Sequence, residues 1–249
     1  MSVFQFKKFS VVNDRSSMKV NTDGVLLGAV MSVKPEDRRL LDVGTGTGTI
    51  ALMAAQRLWS EQESRMETIR FAIDAIDIDE PSATEAAANF LNSPWSDHLK
   101  AYNMPLDKYA RSLPQETEYD LIFSNPPYFE DSLTAPDQRK TVARHTKDGL
   151  SYRDILHFAS QRLSVHGRVA FVLPSDQELQ LCRYARMCDL HLFRITRVRT
   201  VPRKAPSRMI AEFSRERCAA PQESLLTIQN EGKYTSEYLS LMHDFYLFA

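Results

Sequence analysis

Residues 39–49 read Arg-Leu-Leu-Asp-Val-Gly-Thr-Gly-Thr-Gly-Thr. An apolar β-type run meets glycines at alternate positions, and Thr49 to Leu58, rich in Ala, Leu and Met, follows as a predicted helix. Glycine permits positive φ and close backbone approach, so a ligand can lie against such a loop at the carboxyl edge of a parallel sheet. The rest of the chain repeats the unit. Strands are predicted at Phe71–Ile78, Leu99–Tyr102, Tyr119–Ser124 and Gly167–Leu173, with helices from Pro81 to Leu91, Ser151 to Ser164 and Gln177 to Cys188. Ser60–Arg70 reads as a loop or helix end. Two further β-type runs, His191–Thr200 and Met209–Ser214, flank the turn-rich VPRKAPS and read as an antiparallel hairpin. Leu225–Gln229 adds an edge strand and Ser236–Phe248 a closing helix. The expected fold is α/β and Rossmann-like: a seven-stranded, mostly parallel sheet with an antiparallel C-terminal hairpin and helices on both faces.

The glycine loop distinguishes two cofactor classes. Its spacing is G-x-G-x-G, and Thr49 stands where the dinucleotide fingerprint places its last glycine. The acid closing the second strand, Asp77, lies 33 residues after Gly44, against about 20 in that fingerprint. Both features favour S-adenosylmethionine over NAD. Asp42, Gly44, Gly46, Gly48 and Asp77 are the candidate cofactor residues, with Asp77 accepting from the ribose hydroxyls. Asp79 is the alternative, because period-2 alternation puts both acids on one face.

Directly after the fourth strand stands Asn125-Pro126-Pro127-Tyr128. An aromatic amine has its lone pair delocalised into the ring and is a poor nucleophile. Two acceptors gripping both N–H bonds favour rehybridisation at nitrogen. The Asn125 side-chain oxygen is one and the Pro126 carbonyl the other, held by two consecutive residues of fixed φ. Tyr128 offers a ring on which a base can stack, while Phe129 reads as core. Asn125, Pro126 and Tyr128 are the candidate catalytic residues, and Asn125 also borders the cofactor.

With its glycine loop and NPPY motif, the chain resembles the class I amino-methyltransferases, whose members act on adenine N6, guanine N2 or protein glutamine. Phe6-Lys7-Lys8-Phe9, the run from Met18 to Ala29 (MKVNTDGVLLGA), Asn92-Ser93-Pro94-Trp95 and Phe245-Tyr246-Leu247-Phe248 are similar to the tRNA1(Val) adenine-N6 methyltransferases. The resemblance implies N6-methylation of adenine 37, beside the anticodon. It also implies a single domain over 1–249, with 1–35 as an extension packing over the cofactor and 36–249 as catalytic core. Lys19, Thr22 and Asp23 become candidate cofactor contacts, although Thr22 or Asp23 before an apolar run equally signals a helix cap. One position departs from the family pattern. Pro105 stands where an acid normally binds the cofactor adenine, which leaves Asn103, Asp107 or a backbone carbonyl for that contact.

The formal net charge is −1, but its distribution is uneven. Residues 194–217 sum to +6 and 139–147 to +4, so the remainder carries −11. Concentrated positive charge suits a polyanion. Arg144 and His145 near the pocket mouth, and Arg197, Arg199, Arg203, Lys204 and Arg208 around the hairpin, are the candidate tRNA contacts, directed to the anticodon loop. The polar stretch Asp131–Gly149 has the length of a functional loop. Cys182, Cys188 and Cys218 match no zinc spacing and read as reduced thiols; no metal site is expected. No apolar run reaches membrane-spanning length and residues 1–9 lack a signal core, so a cytoplasmic protein is expected. A glutamine methyltransferase would need a helical substrate domain ahead of the first strand. A non-catalytic cofactor-binding protein would not need Asn125 and Tyr128. A DNA target would call for a further recognition domain.

Overall fold

The computed structural model describes residues 2–66, 68–127 and 150–249. The chain opens with an antiparallel hairpin, β1 (Val3–Gln5) with β2 (Ser10–Val12), followed by α1 (Thr22–Val30). The alternating core is β3 (Arg39–Val43), α2 (Thr49–Ser64), β4 (Ala72–Asp77), α3 (Glu80–Leu91), β5 (Leu99–Asn103), α4 (Leu106–Ser112), β6 (Tyr119–Ser124), α5 (Tyr152–Arg162), β7 (Leu163–Pro174) and α6 (Glu178–Met187). Then come β8 (His191–Arg199), β9 (Arg208–Ser214), β10 (Gln222–Thr227), the small hairpin of β11 (Gln229–Asn230) and β12 (Lys233–Tyr234), and α7 (Ser236–Met242).

The main sheet runs β10-β8-β9-β7-β6-β3-β4-β5. β5, β4, β3, β6 and β7 are mutually parallel, and β9 lies antiparallel between β7 and β8. The expected seven strands are present. β10 adds an eighth, pairing parallel with β8 near the position read as an edge strand. Side chains of the central strands alternate between two cores, as strand geometry requires. Leu40, Leu121, Phe123 and Ala170 meet α1, α2 and α3, whereas Leu41, Val43, Ile122 and Phe171 meet α4, α5 and α6.

The structure departs from the sequence reading at several elements; β7 starts at Leu163 rather than Gly167, and β10 covers Gln222–Thr227 rather than Leu225–Gln229. α2 continues past Leu58 to Ser64 because Gln62 is buried, donating to Pro35 O and accepting from Arg70 N–H. α7 stops at Met242 because the residues beyond it turn into an aromatic cluster: Tyr246 packs on Phe4 and Phe6, and Lys7 N–H bonds Phe245 O. α4 was not foreseen; it follows Pro105 and is only seven residues long.

A buried ionic cluster joins the end of the N-terminal extension to the sheet. Arg168 on β7 pairs with Asp37, both about as buried as core leucines, at 3% and 2% exposure. It also donates to Ser32, whose hydroxyl and N–H both reach Glu212 on β9. Removing one partner of a buried pair strands the other charge. Asp37→Ala is therefore expected to cost about 3–5 kcal/mol in urea unfolding, while the paired change Asp37→Leu with Arg168→Met recovers most of that loss.

Candidate active site

The glycine loop leaves β3 and is pinned to β4. Gly44 and Thr45 N–H both donate to Ile76 O, and Gly46 N–H donates to Asp77 Oδ2 at 2.9 Å. The three glycines have positive φ. At Gly48, which caps α2 in the left-handed region, a Cβ would meet the Phe90 ring at 2.5 Å. At Gly46 it would lie in contact with Ser16 Oγ and Met18 O, at 3.4 and 3.5 Å. The loop is thus covered by residues 16–18, which reach it from the N-terminal extension.

The two acids at the end of β4 have different tasks. Asp79 caps α3, its Oδ2 accepting from Ser82 N–H and Oγ. Asp77 stays at the glycine loop, where Oδ1 accepts from Asp79 N–H. Its carboxylate keeps lone pairs for ribose hydroxyls, so the geometry favours Asp77 over Asp79 as the ribose candidate. Asn103, at the exposed end of β5, donates to Asp77 O and Ile78 O and so sits on the same rim. Asp107 is exposed and pairs with Arg111 one helical turn on.

Asp42 is fully buried. Its Oδ2 accepts from Thr45 Oγ1 at 2.7 Å, and its Oδ1 has no hydrogen-bond partner among the described residues. Burial pushes its carboxyl up to about 7, opposed by the Thr45 hydrogen bond and reinforced by the Asp77 charge. An orphaned carboxylate oxygen beneath a glycine loop fits a ligand carrying cationic groups, such as the α-ammonium and sulfonium of S-adenosylmethionine.

The Asn-Pro-Pro turn lies next door. β6 is hydrogen-bonded to β3, with Phe123 opposite Asp42, and Ser124 Oγ donates to Val43 O at 2.6 Å. Asn125 and Pro126 are buried and Pro127 is exposed. Asn125 Nδ2 approaches Met18 Sδ at 3.5 Å, which joins the covering segment to the turn. Tyr128, Phe129, Arg144, His145 and the whole Asp131–Gly149 stretch lie outside the described residues.

Around this edge the other candidates divide. Thr22 is exposed in the first turn of α1, and Asn21, rather than Thr22 or Asp23, caps that helix by accepting from Gly24 N–H. Asp23 pairs with Arg208 at 2.7 Å. Lys19 turns its ammonium to Asn13 O and Asp14 O. Arg208 opens β9 opposite Pro174, the end of β7, so the 200–207 loop stands at the carboxyl edge of the sheet. At that loop Arg203 and Lys204 are exposed. Arg199 is held by Thr227 Oγ1 and Pro202 O, and Arg197 by Glu178 and Glu223. Sequence reasoning missed Ser16, whose contact with Gly46 no local pattern signals, and Leu150, which lies against Gly44.

Comparison with known proteins places this geometry. Residues 15–181 match the Methyltransferase small domain family. The chain is 43% identical over 246 residues to the tRNA1(Val) (adenine(37)-N6)-methyltransferase of Parabacteroides distasonis, covering 98% of this chain and 97% of the relative. It is 38% identical to the protein of that name in Trichodesmium erythraeum, over 98% and 97%. The chain belongs to the tRNA1(Val) (adenine(37)-N6)-methyltransferase family. Solved structures confirm the fold of this methyltransferase: a predicted O-methyltransferase from Agrobacterium tumefaciens superposes with TM-score 0.60 at 16% identity, covering 90% of this chain and 96% of that one. A putative class I S-adenosylmethionine-dependent methyltransferase from Listeria monocytogenes gives 0.54 at 12%, over 93% and 70%. S-adenosylmethionine is the cofactor of this family, and the glycine loop, Asp42 and Asp77 fit it. No helix among the described residues is long and apolar enough to cross a membrane.

The state of Asp42 has a measurable signature. An unfolded aspartate titrates near about 3.9, so the folded protein holds the extra proton between roughly pH 4 and 7 and loses stability as pH rises through that window. For the cofactor-free protein, the stability of Asp42→Asn relative to the parent is expected to increase steadily from about pH 4 to 7 in urea titrations. A pH-independent difference would contradict the assignment.

Proposed function

We propose that this chain transfers a methyl group from S-adenosylmethionine to the N6 amine of adenine 37 in tRNA1(Val), acting in the cytoplasm on the anticodon loop. In this reading residues 1–249 work as one methyltransferase unit, in which 1–35 cover the cofactor and 36–249 carry the chemistry. The observation that supports it most is the buried Asn125-Pro126 turn leaving the sheet beside the glycine loop, from the adjacent parallel strand.

When bound, S-adenosylmethionine supplies an electrophilic sulfonium methyl. The chain's own residues prepare the nucleophile. Asn125 Oδ1 and the Pro126 carbonyl accept the two N6–H bonds, which draws the nitrogen out of conjugation and aims its lone pair at the cofactor loop. The proton leaves after the N–C bond forms, so no strong general base is needed. Catalysis rests on positioning and preorganised dipoles. Tyr128 follows in sequence and offers the stacking ring. Asp77 would hold the ribose, Asn103 would take the adenine rim in place of the acid absent at Pro105, and Thr22 and Asp23 border the entrance from α1.

The target base must leave the anticodon stack to reach Asn125. Arg203 and Lys204 would meet its flanking phosphates, with Arg144 and His145 contributing from the segment after the NPPY motif. Arg197, Arg199 and Arg208 then shape the hairpin that carries them, consistent with their intramolecular bonds.

Labelled-cofactor methylation of total tRNA from a strain lacking the gene is expected to place N6-methyladenosine in one tRNA species. Label appearing in protein instead would overturn the substrate. Asn125→Ala should lower kcat by about 100-fold or more, the scale of losing one preorganised group, with cofactor affinity retained. Changing Arg203 and Lys204 together to Ala should raise the tRNA KM and flatten its logarithmic salt dependence by about one to two units of slope; an unchanged slope would exclude both from phosphate contact.

A further inference from the structure

α3 turns Ser82, Glu85 and Asn89 toward the segment that covers the glycine loop, and Asp79, just before the helix, holds Ser82. Asp79, Ser82, Glu85 and Asn89 follow at spacings of three, three and four, which aligns them on a helix. Glu85 is buried, and its carboxylate accepts three successive main-chain N–H groups: Asp14 at 2.9 Å and Arg15 at 2.7 Å on Oε2, and Ser16 at 3.1 Å on Oε1. Successive N–H groups converging on one anion form a nest, and bonds to an ionised acceptor are stronger than neutral ones. Ser82 Oγ meets Ser16 Oγ at 3.1 Å, and Ser16 Oγ bonds Met18 O. Asn89 binds Val12 N–H and O together with Thr47 O, so it holds the covering segment and the glycine loop at once.

The segment itself is a closed loop. Val20 N–H returns to Asn13 Oδ1, and the Lys19 ammonium bonds Asn13 O and Asp14 O. Its far side lies on Gly46 and reaches Asn125 through Met18. Inside this loop the main-chain donors would be unsatisfied without an acceptor, and Glu85 is that acceptor. The cover and the glycine loop therefore share one rigid support.

We propose that Glu85 is a positioning residue for the cofactor site: its carboxylate fixes the main chain of residues 14–16 over the glycine loop, and so sets how tightly the cofactor is held. Glu85 touches neither substrate nor the reacting atoms. It acts through Ser16 and Met18. Gln at this position matches the shape but turns an N–H₂ toward main-chain N–H groups, so the nest opens.

The test uses the full chain, with S-adenosylmethionine affinity measured by calorimetry and kinetics measured on its tRNA substrate. Glu85→Gln is expected to raise the cofactor Kd and KM by about ten-fold or more, the scale of one lost charge-assisted hydrogen bond. The tRNA KM and the kcat at saturating cofactor should stay within about two-fold, well under the tenfold step. Trypsin should cut faster after Arg15 and Lys19, while the rest of the chain keeps its resistance. Ser16→Ala, a milder change that removes only the Ser82 and Met18 O bonds, should raise the cofactor Kd about three-fold. A cofactor Kd unchanged in Ser16→Ala overturns the proposal even if Glu85→Gln does not fold. Equal rises in the cofactor and tRNA KM values of Glu85→Gln, with a lowered Tm, also overturn it by marking Glu85 as a general stabiliser. Methylation of tRNA by the parent protein stands or falls independently of either result.

Discussion

The parallel pairing of β3 with β6 sets the spacing of the site, and the bond from Ser124 Oγ to Val43 O joins the last residues of the two strands. One strand continues into the glycine loop and the other into Asn125-Pro126. Neighbouring strands lie about 4.8 Å apart, so the glycine loop and the Asn125-Pro126 turn are neighbours before any side chain is placed. Helices on both faces bury the strands and leave only the carboxyl edge for chemistry, the usual location in open parallel sheets. Above this edge the N-terminal extension adds a roof, anchored below by Arg168 with Asp37 and beside it by α3. The hairpin of β8 and β9 adds a wall, joined to α1 by the Arg208–Asp23 pair.

Charge is distributed to match. The carboxylates at the glycine loop are drawn out of water to different degrees: Asp42 is pushed toward neutrality by burial, and Asp77, partly buried, is raised by the same cause while keeping main-chain donors. Arg203 and Lys204 are exposed on the 200–207 loop, at the carboxyl edge of the sheet.

Much of this was legible in the sequence because the signals are local. The glycine loop, the Asn-Pro-Pro turn and the alternation of strands and helices each occupy a few consecutive residues, and the edge strand and basic hairpin followed from composition. What was not legible depends on distance along the chain. Arg197 reads as a free cation until Glu178 and Glu223 are brought to it by folding. No local pattern marks Glu85, which is buried because residues 14–16 wrap over it from about 70 positions away. Asn21 caps α1 where Thr22 and Asp23 matched the same pattern. β1, β2 and α4 are too short to produce a periodicity.

The central claim is that two oxygens, one from a side chain and one from the backbone, grip an aromatic amine in front of the cofactor. The most direct measurement is a crystal structure of the protein with S-adenosylhomocysteine and an anticodon stem-loop RNA. The account predicts the target N6 within about 2.7–3.2 Å of both Asn125 Oδ1 and the Pro126 carbonyl, on the side facing the sulfur. An ordered target base whose N6 bonds neither oxygen would contradict it.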